Sequence, residues 1–488
     1  MKRERPRPAP FFLPPRNSPQ DGFGLAPDAH QPPLDRGFVS AFRWRQAYRR
    51  MVAAEGRPVP VTLAVARPGG GASHFHTEIF PEEPAFAGPN LRFLERTVKF
   101  LLWSRGGSQV WMAGAPAATA AIAAAYAPGG ARAFDAEFLG RKIYLEEFSV
   151  RACEEAELPP ATDRAGAGGG GMRGCRIGFD LGGSDRKVAA LLEGEVVFSE
   201  ETPWDPYFQK DPAYHEQGIR ESLVRAAAHL PRVDAIGGSA AGVYVENEPR
   251  AGSLFRGVPD ELFASRIRPI FKRLAAEWKV PLEVANDGDV TALAAARMLG
   301  ERASGGVLGL SLGTSLAGGY VAPGGGLMPW LNELAFVPVD YRVEEAPVDE
   351  WSGDVGTGAR YHSQQALAQL LRRPEIPAHW PFPEKLVALQ EAAARGESWT
   401  AFVYESLGVY LGYSLAHFAE FYEFAHVLIL GRVTSGPGGD LLLGKAREVL
   451  RDETPELSEK IGFVAVDEKF KRHGQAIAAA GLPRLEEA

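Results

Sequence analysis

Four segments of this sequence join a glycine turn to a carboxylate, an amide or a hydroxyl. Residues 176–192 run from Ile177-Gly178-Phe179 into Asp180-Leu181-Gly182-Gly183-Ser184, and an apolar strand, Val188–Leu192, returns. Glycine lets the chain turn tightly and lets backbone N–H groups approach an anion, and a carboxylate at the turn can hold a hydrated Mg2+. Further on, a strand over 281–285 ends at Asn286-Asp287-Gly288-Asp289 and a helix is predicted from Val290 to Leu299. Polar groups at the carboxyl end of a strand face the crevice where α/β proteins bind ligands. An Asp there can take the proton of a hydroxyl and an Asn can orient the ring that bears it; helix capping by Asp287 or Asp289 is the competing reading. Val307–Leu312, the turn Gly313-Thr314-Ser315 and Leu316–Val321 repeat the first hairpin. A fourth strand, Val427–Leu430, delivers Gly431 and, after Arg432-Val433, Gly436-Pro437-Gly438-Gly439, where small residues would let an adenine or ribose lie against backbone. No GxxxxGK[ST] loop occurs, so the phosphate-binding pattern is one of hairpins.

The elements that carry these turns occupy less than the whole chain. Its 488 residues suggest about three domain-sized units. A net charge of −8 with 45% apolar residues excludes a generally basic nucleic-acid coat, and no apolar run is long enough to span a membrane. Two cysteines, Cys153 and Cys175, cannot form a disulfide scaffold or a four-thiolate zinc site. Residues 1–38 are a Pro-rich arm, read as lying along a globular body or as a tail; residues 39–160 are an α/β region; the glycine-rich 161–174 is a linker. Within 39–160, Trp44, Tyr48 and Arg43, Arg45, Arg49 and Arg50 fit a short basic helix with a solvated face. His74, His76 and Glu78 would share a strand face, as an exposed polar surface rather than three metal ligands.

The four segments, in this order and spacing, resemble the ROK family of sugar kinases. The resemblance runs from residue 176 to about 483. It implies a two-lobed actin-like ATPase (ribonuclease H-like) α/β fold with an additional N-terminal α/β region, the first lobe being 175–290 with 465–488 and the second 291–464. It also implies ATP-dependent phosphorylation of a hydroxyl on a hexose or amino-sugar, in the cytoplasm, with lobes closing around small-molecule sugar and nucleotide. Asp287 would be the general base. Asn286, Glu333 and Asn247 would contact sugar. Gly182, Gly183, Ser184, Gly313, Thr314, Gly431 and Gly436 would line the nucleotide, and Asp180 would hold Mg2+ through water.

The match to the family is incomplete. Phe336 stands where the family has a sugar- and zinc-binding His, and 353–360 carries no thiol, so no structural zinc is expected; His362 alone cannot replace it. Asp185 puts a negative charge where the family often has Lys, and Asp289 adds a second acid beside the sugar. Arg250, Ser253 and Arg256 could reach a sugar or an anionic substituent, with a solvated loop the plainer account, and Trp330 could stack on a sugar or fill core. These departures open an alternative: a ROK-like sugar-sensing regulator or pseudokinase without turnover. Family repressors carry a winged helix, which the first 160 residues do not resemble; that region would instead bury against the kinase and build a homo-oligomer.

Overall fold

The computed structural model describes residues 30–166, 171–342, 345–465 and 468–485. Residues 1–29 of the Pro-rich arm and 167–170 of the linker lie outside the described residues.

The first third of the chain forms a sheet of β1 (Val59–Ala66), β2 (Ala72–Ile79), β3 (Gln109–Ala113) and β4 (Ser149–Cys153) in the order β2-β1-β3-β4. β1 is central, and its last six residues, Val61–Ala66, are buried as their apolar sequence requires. The Ala87–Arg105 helix is buried on nearly every side. A helix of that kind belongs between two layers. One layer is its own sheet; the other is the C-terminal half of the molecule. Phe93, Phe100 and Trp103 share one continuous core with Leu310, Val339 and Leu407. Each such side chain stabilises by about 1.5–3 kcal/mol on full burial.

The Ala41–Glu55 helix starts at Ser40, whose Oγ accepts from Arg43 N, and stops at Gly56 with φ 75°. Its basic face is not the solvated one expected from the sequence. Arg45 is fully buried and its Nε donates to Glu420 at 2.6 Å, because Trp44 and Tyr48 draw this side of the helix into the core. The described end of the Pro-rich arm lies on the same half of the molecule. Arg342 and Tyr410 both donate to Asp35, and Phe38 packs on the Tyr410 ring.

After the linker, β5 (Cys175–Leu181), β6 (Asp185–Leu192) and β7 (Glu195–Pro203) form a meander, and β8 (Ala235–Ala240) follows a helix. Glu193 and Gly194 both take positive φ, the geometry of a two-residue hairpin. A short hairpin, β9 (Val243–Val245) with β10 (Glu248–Ala251), precedes β11 (Leu282–Asn286). The sheet order is β11-β8-β5-β6-β7, with β5, β8 and β11 parallel. A second sheet repeats the plan as β13-β12-β14-β15, from β12 (Val307–Leu312), β13 (Leu316–Val321), β14 (His426–Leu430) and β15 (Gly462–Val464). The Glu468–Ala479 helix returns to the first of these sheets. Side chains at Gly178 and Gly237 would run into the Ala476 and Ala479 carbonyls, so glycine there lets helix and sheet meet at backbone distance.

Candidate active site

Three parallel strands of the first lobe end together. Leu181 and Asn286 each pair with Ala240, so Asp180, Ser239 and Asn286 reach one rim of the sheet. Ser239 Oγ donates to Asp180 Oδ1 at 2.7 Å. In the second lobe, Gly431 with φ 112° follows β14 and packs on the Leu312 backbone, which leads into the Gly313 turn. Both glycine turns thus sit at the carboxyl ends of parallel strands, where ligand crevices form.

Asp287 opens the Asp287–Leu299 helix, three residues earlier than the sequence suggests. The reason is Asn286, which caps it: its Oδ1 accepts from Gly288 N at 2.7 Å while its Nδ2 donates to Gly242 O at 2.7 Å. With the amide at the cap position, neither Asp287 nor Asp289 is the cap, although Asp287 shares the Gly288 N–H with Asn286. Burial raises the pKa of Asp287 even though part of its surface stays open, and Asp287 Oδ1 accepts from Gly288 N at 3.0 Å. The same helix turn presses on β13. A Cβ on Gly288 would strike Gly318 O, and one on Gly319 would strike Gly288 O. The acid is therefore held at the seam between the lobes.

Four carboxylates gather there. Burial pushes Asp180 up to about 6, against the pull of Lys187 and Ser239. Asp289 is pushed up to about 7 by burial, although Tyr320 N and Asn332 Nδ2 donate to its Oδ1. Glu333 is pushed up to about 8 by burial and by the charges of Asp287 and Asp289. Asp287 raises all three of its neighbours, which places it among them. Glu333 is aimed by the N-terminal region: its N donates to Trp103 O, and Asn332 N donates to Ser104 O.

No protein-family model and no curated protein matches the chain. Solved structures do. The ROK hexokinase from Thermus thermophilus is 18% identical, with 63% of this chain and 97% of that chain covered at a TM-score of 0.50. A ROK family transcriptional regulator homologous to the E. coli Mlc protein is 20% identical, with 63% and 77% covered and a TM-score of 0.50. The chain has the ROK fold. It is the two-lobed actin-like α/β architecture with an N-terminal α/β region added to it. A ROK family glucokinase from Streptomyces griseus, in complex with glucose and AMPPNP, is 21% identical over 64% of this chain and 99% of its own, at a TM-score of 0.45.

On this ROK fold the departures found in the sequence have physical accounts. Asp185 does not leave a bare negative charge beside the first glycine turn. Lys187 Nζ lies 2.7 Å from Asp185 Oδ1 and 3.8 Å from Asp180 Oδ2. Residues i and i+2 share a strand face, and that spacing was the signal in the sequence for Lys187. Phe336 stacks on Trp103 with centroids 4.1 Å apart, so it belongs to the contact with the N-terminal region. Asp354, in the thiol-free segment, accepts from Arg96 and pairs with Lys99 and Arg132. Asp289 serves the Asn332 loop rather than an open sugar pocket. Arg432 and Val433 form a single 3-10 turn before the Gly436–Glu453 helix, whose first residue has φ 72°.

Other candidates go elsewhere. The Asn247 amide is engaged on strand backbone, accepting from Val284 N at 2.8 Å and donating to Leu282 O at 2.9 Å, which braces β11 rather than reaching Asp287. Trp330 stacks on Tyr320 and donates to Asp163, so it fills core. His362 is buried against Ser414 and pushed down to about 3 by burial, a neutral core histidine. His74 meets the Pro159 carbonyl and His76 the Thr62 hydroxyl, so these rings do not converge with Glu78 on a cation. Gly182, Gly183, Ser184 and Thr314 form turns with at least partial exposure; at Gly183 a side chain would strike the Tyr207 hydroxyl.

Proposed function

We propose that this chain is an ATP-dependent kinase of a sugar hydroxyl, with Asp287 as general base. The observation that carries the reading is the placement of Asp287: at the seam of the lobes, partly open, and electrostatically coupled to Asp180 and Glu333. A desolvated carboxylate is a better base than one in water, and taking the hydroxyl proton helps the oxygen attack a γ-phosphoryl group. Glu333, protonated near neutral pH, would donate to a sugar oxygen, and Asn286 would hold the turn that aims Asp287. Gly183 and Thr314 would supply backbone donors to phosphates, while the Gly182 and Gly313 N–H groups close the two turns on Asp185 O and Ser315 O, with Lys187 adding the positive charge. Gly431 and Gly436 would leave room for the nucleoside.

Asp180 suits Mg2+ by its oxygen donors, a buried carboxylate oriented by Ser239, while Lys187, 3.8 Å from the other oxygen, would have to share the site with the ion. Bound there through water, the ion would offset phosphate charge. No described helix is long and apolar enough to cross a membrane, and ATP supply favours the cytoplasm. The test is ADP release with ATP, Mg2+ and a panel of hexoses and amino-sugars. Asp287→Asn should lower kcat by about 10²–10⁴-fold; turnover unchanged in that variant would refute the assignment.

A second reading is supported by the equal likeness to a ROK regulator and by the N-terminal region, which contacts both lobes: Val243 of the β9–β10 hairpin packs into the core it shares with the second lobe. This would be a sugar sensor without turnover. A sugar that raises the melting temperature while none is phosphorylated would decide for it.

A further inference from the structure

A cavity of about 990 Å³ lies where three parts of the molecule meet. The N-terminal region contributes Phe138, Arg141 and Lys142 from the π-helix Phe138–Tyr144. The first lobe contributes Arg250 from β10 and Arg268. The second lobe contributes Trp351, an aromatic left 62% exposed on the wall.

Arg250 is the anomaly. It is only 8% exposed, one nitrogen meets Glu248 at 3.1 Å, and its Nε and Nη1 have no hydrogen-bond partner among the described residues. Arg268 Nε is unpartnered as well. Burial lowers the proton affinity of Arg250, and Arg268 is near enough to lower it further. Glu248 answers only one nitrogen of Arg250, and the guanidinium donors that remain unmet on Arg250 and Arg268 cost free energy unless another acceptor reaches them. A guanidinium fork fits the paired oxygens of phosphate or carboxylate. The wall carries three acids, Glu137, Asp260 and Glu350, against four cations, so one added anionic group brings it towards neutrality. Phe138 and Trp351 offer apolar faces for the body of the molecule that bears the charge.

We infer that this cavity is a binding site for a small organic anion, a phosphorylated or carboxylated compound of sugar size held by Arg250 and Arg268. Its walls come from both lobes and from the N-terminal region, so an occupant ties the three together and fixes the lobe angle. The site does not depend on turnover at Asp287.

Isothermal titration without ATP tests it, with glucose 6-phosphate and gluconate as probes and glucose and inorganic phosphate as references. At least one organic anion should bind about tenfold or more tightly than either reference. Tightest binding of glucose 6-phosphate would identify a phosphate ligand, and of gluconate a carboxylate. Excess glucose should not displace the anion, Asp287→Asn should retain it, and Arg250→Gln should weaken it by about tenfold or more. The exposed pair Arg141→Gln/Lys142→Gln should weaken it too, and decides the matter if Arg250→Gln does not fold. Neither anion binding, displacement by glucose, or unchanged affinity in the folded variants would overturn the proposal. Failure of the kinase reading alone would show as bound anion with no ADP release.

Discussion

Lys187 Nζ sits 2.7 Å from Asp185 Oδ1 and 3.8 Å from Asp180 Oδ2, so one ammonium serves two carboxylates at the mouth of the first glycine turn. The hydrogen bond from Lys187 lowers the pKa of Asp185 although burial opposes it, and the partners raise that of Lys187 although burial opposes that too. The first turn would thus offer its phosphates a locally balanced surface. Lys187→Met leaves two acids facing that place. Nucleotide affinity should fall by about 10–100-fold, since a charge-assisted bond is worth about 1.5–3 kcal/mol. Titration with a non-hydrolysable ATP analogue measures it. A lower melting temperature with unchanged affinity would mean that Lys187 only steadies the hairpin.

Glu333 gives a pH prediction. Its folded-state pKa, about 8, is raised above that of an ordinary carboxyl group by burial and by Asp287 and Asp289. The folded chain therefore holds a proton that the unfolded chain releases near 4.5. The stabilisation is complete below about pH 4.5 and is lost as pH climbs through about 8. Asp289 and Asp180, raised to about 7 and about 6, act with the same sign over lower windows. Melting temperature should fall from pH 5 to pH 8, and Glu333→Gln should flatten that fall. Equal slopes for wild type and variant would show that Glu333 titrates normally.

The contact between Gly288 and Gly319 fixes where Asp287 points. Gly319→Ala puts a methyl group into the Gly288 carbonyl, and the backbone must part to admit it. Overpacking of this kind costs about 1–3 kcal/mol. The larger effect should be on kcat, because the displaced turn carries the base and small misplacements are costly to reaction geometry. Thermal melts and steady-state kinetics on the same preparation separate the two. A variant with wild-type kcat would show that the seam does not aim Asp287.

What the sequence disclosed depended on distance along the chain. The hairpins at Asp180 and Gly313 were legible because strand, turn and strand are adjacent, and glycine marks the bend. The Asp287–Leu299 helix begins three residues before the apolar run at Val290 suggests, because its cap is Asn286, a residue type that suits a ligand equally well. The pairing of Asp185 is harder to see, because Lys187 stands two residues along the strand and only the pleat brings the two side chains to one face. Asn247 resembles a ligand in the sequence because a lone Asn in a loop gives no sign that β11 will occupy its amide. That the N-terminal region buries against the rest of the chain is an expectation of the sequence; the residues that seat it there are not legible. Its ties, such as Arg96 to Asp354 across 258 residues, join segments whose local patterns say nothing of each other.

Those ties make the last prediction. Asp354 is 4% exposed and meets three cations from the N-terminal region: Arg96 at 3.0 Å, Lys99 at 2.9 Å and Arg132 at 2.6 Å. Glu95 and Asp135 complete the cluster, holding Arg96, Arg132 and Lys99 from the other side. The cations hold Asp354 below the usual carboxylate range despite its burial. Removing one member of such a cluster leaves an uncompensated buried charge, which costs about 3–5 kcal/mol. Asp354→Asn should therefore lower the melting temperature by several degrees. The loss should persist at high salt, since buried pairs are poorly screened. Adding Lys99→Met should restore part of it by removing the cation left over. A loss that salt abolishes, or a double variant less stable than the sum of the two single variants, would show that the cluster does not hold the N-terminal region to the second lobe by charge.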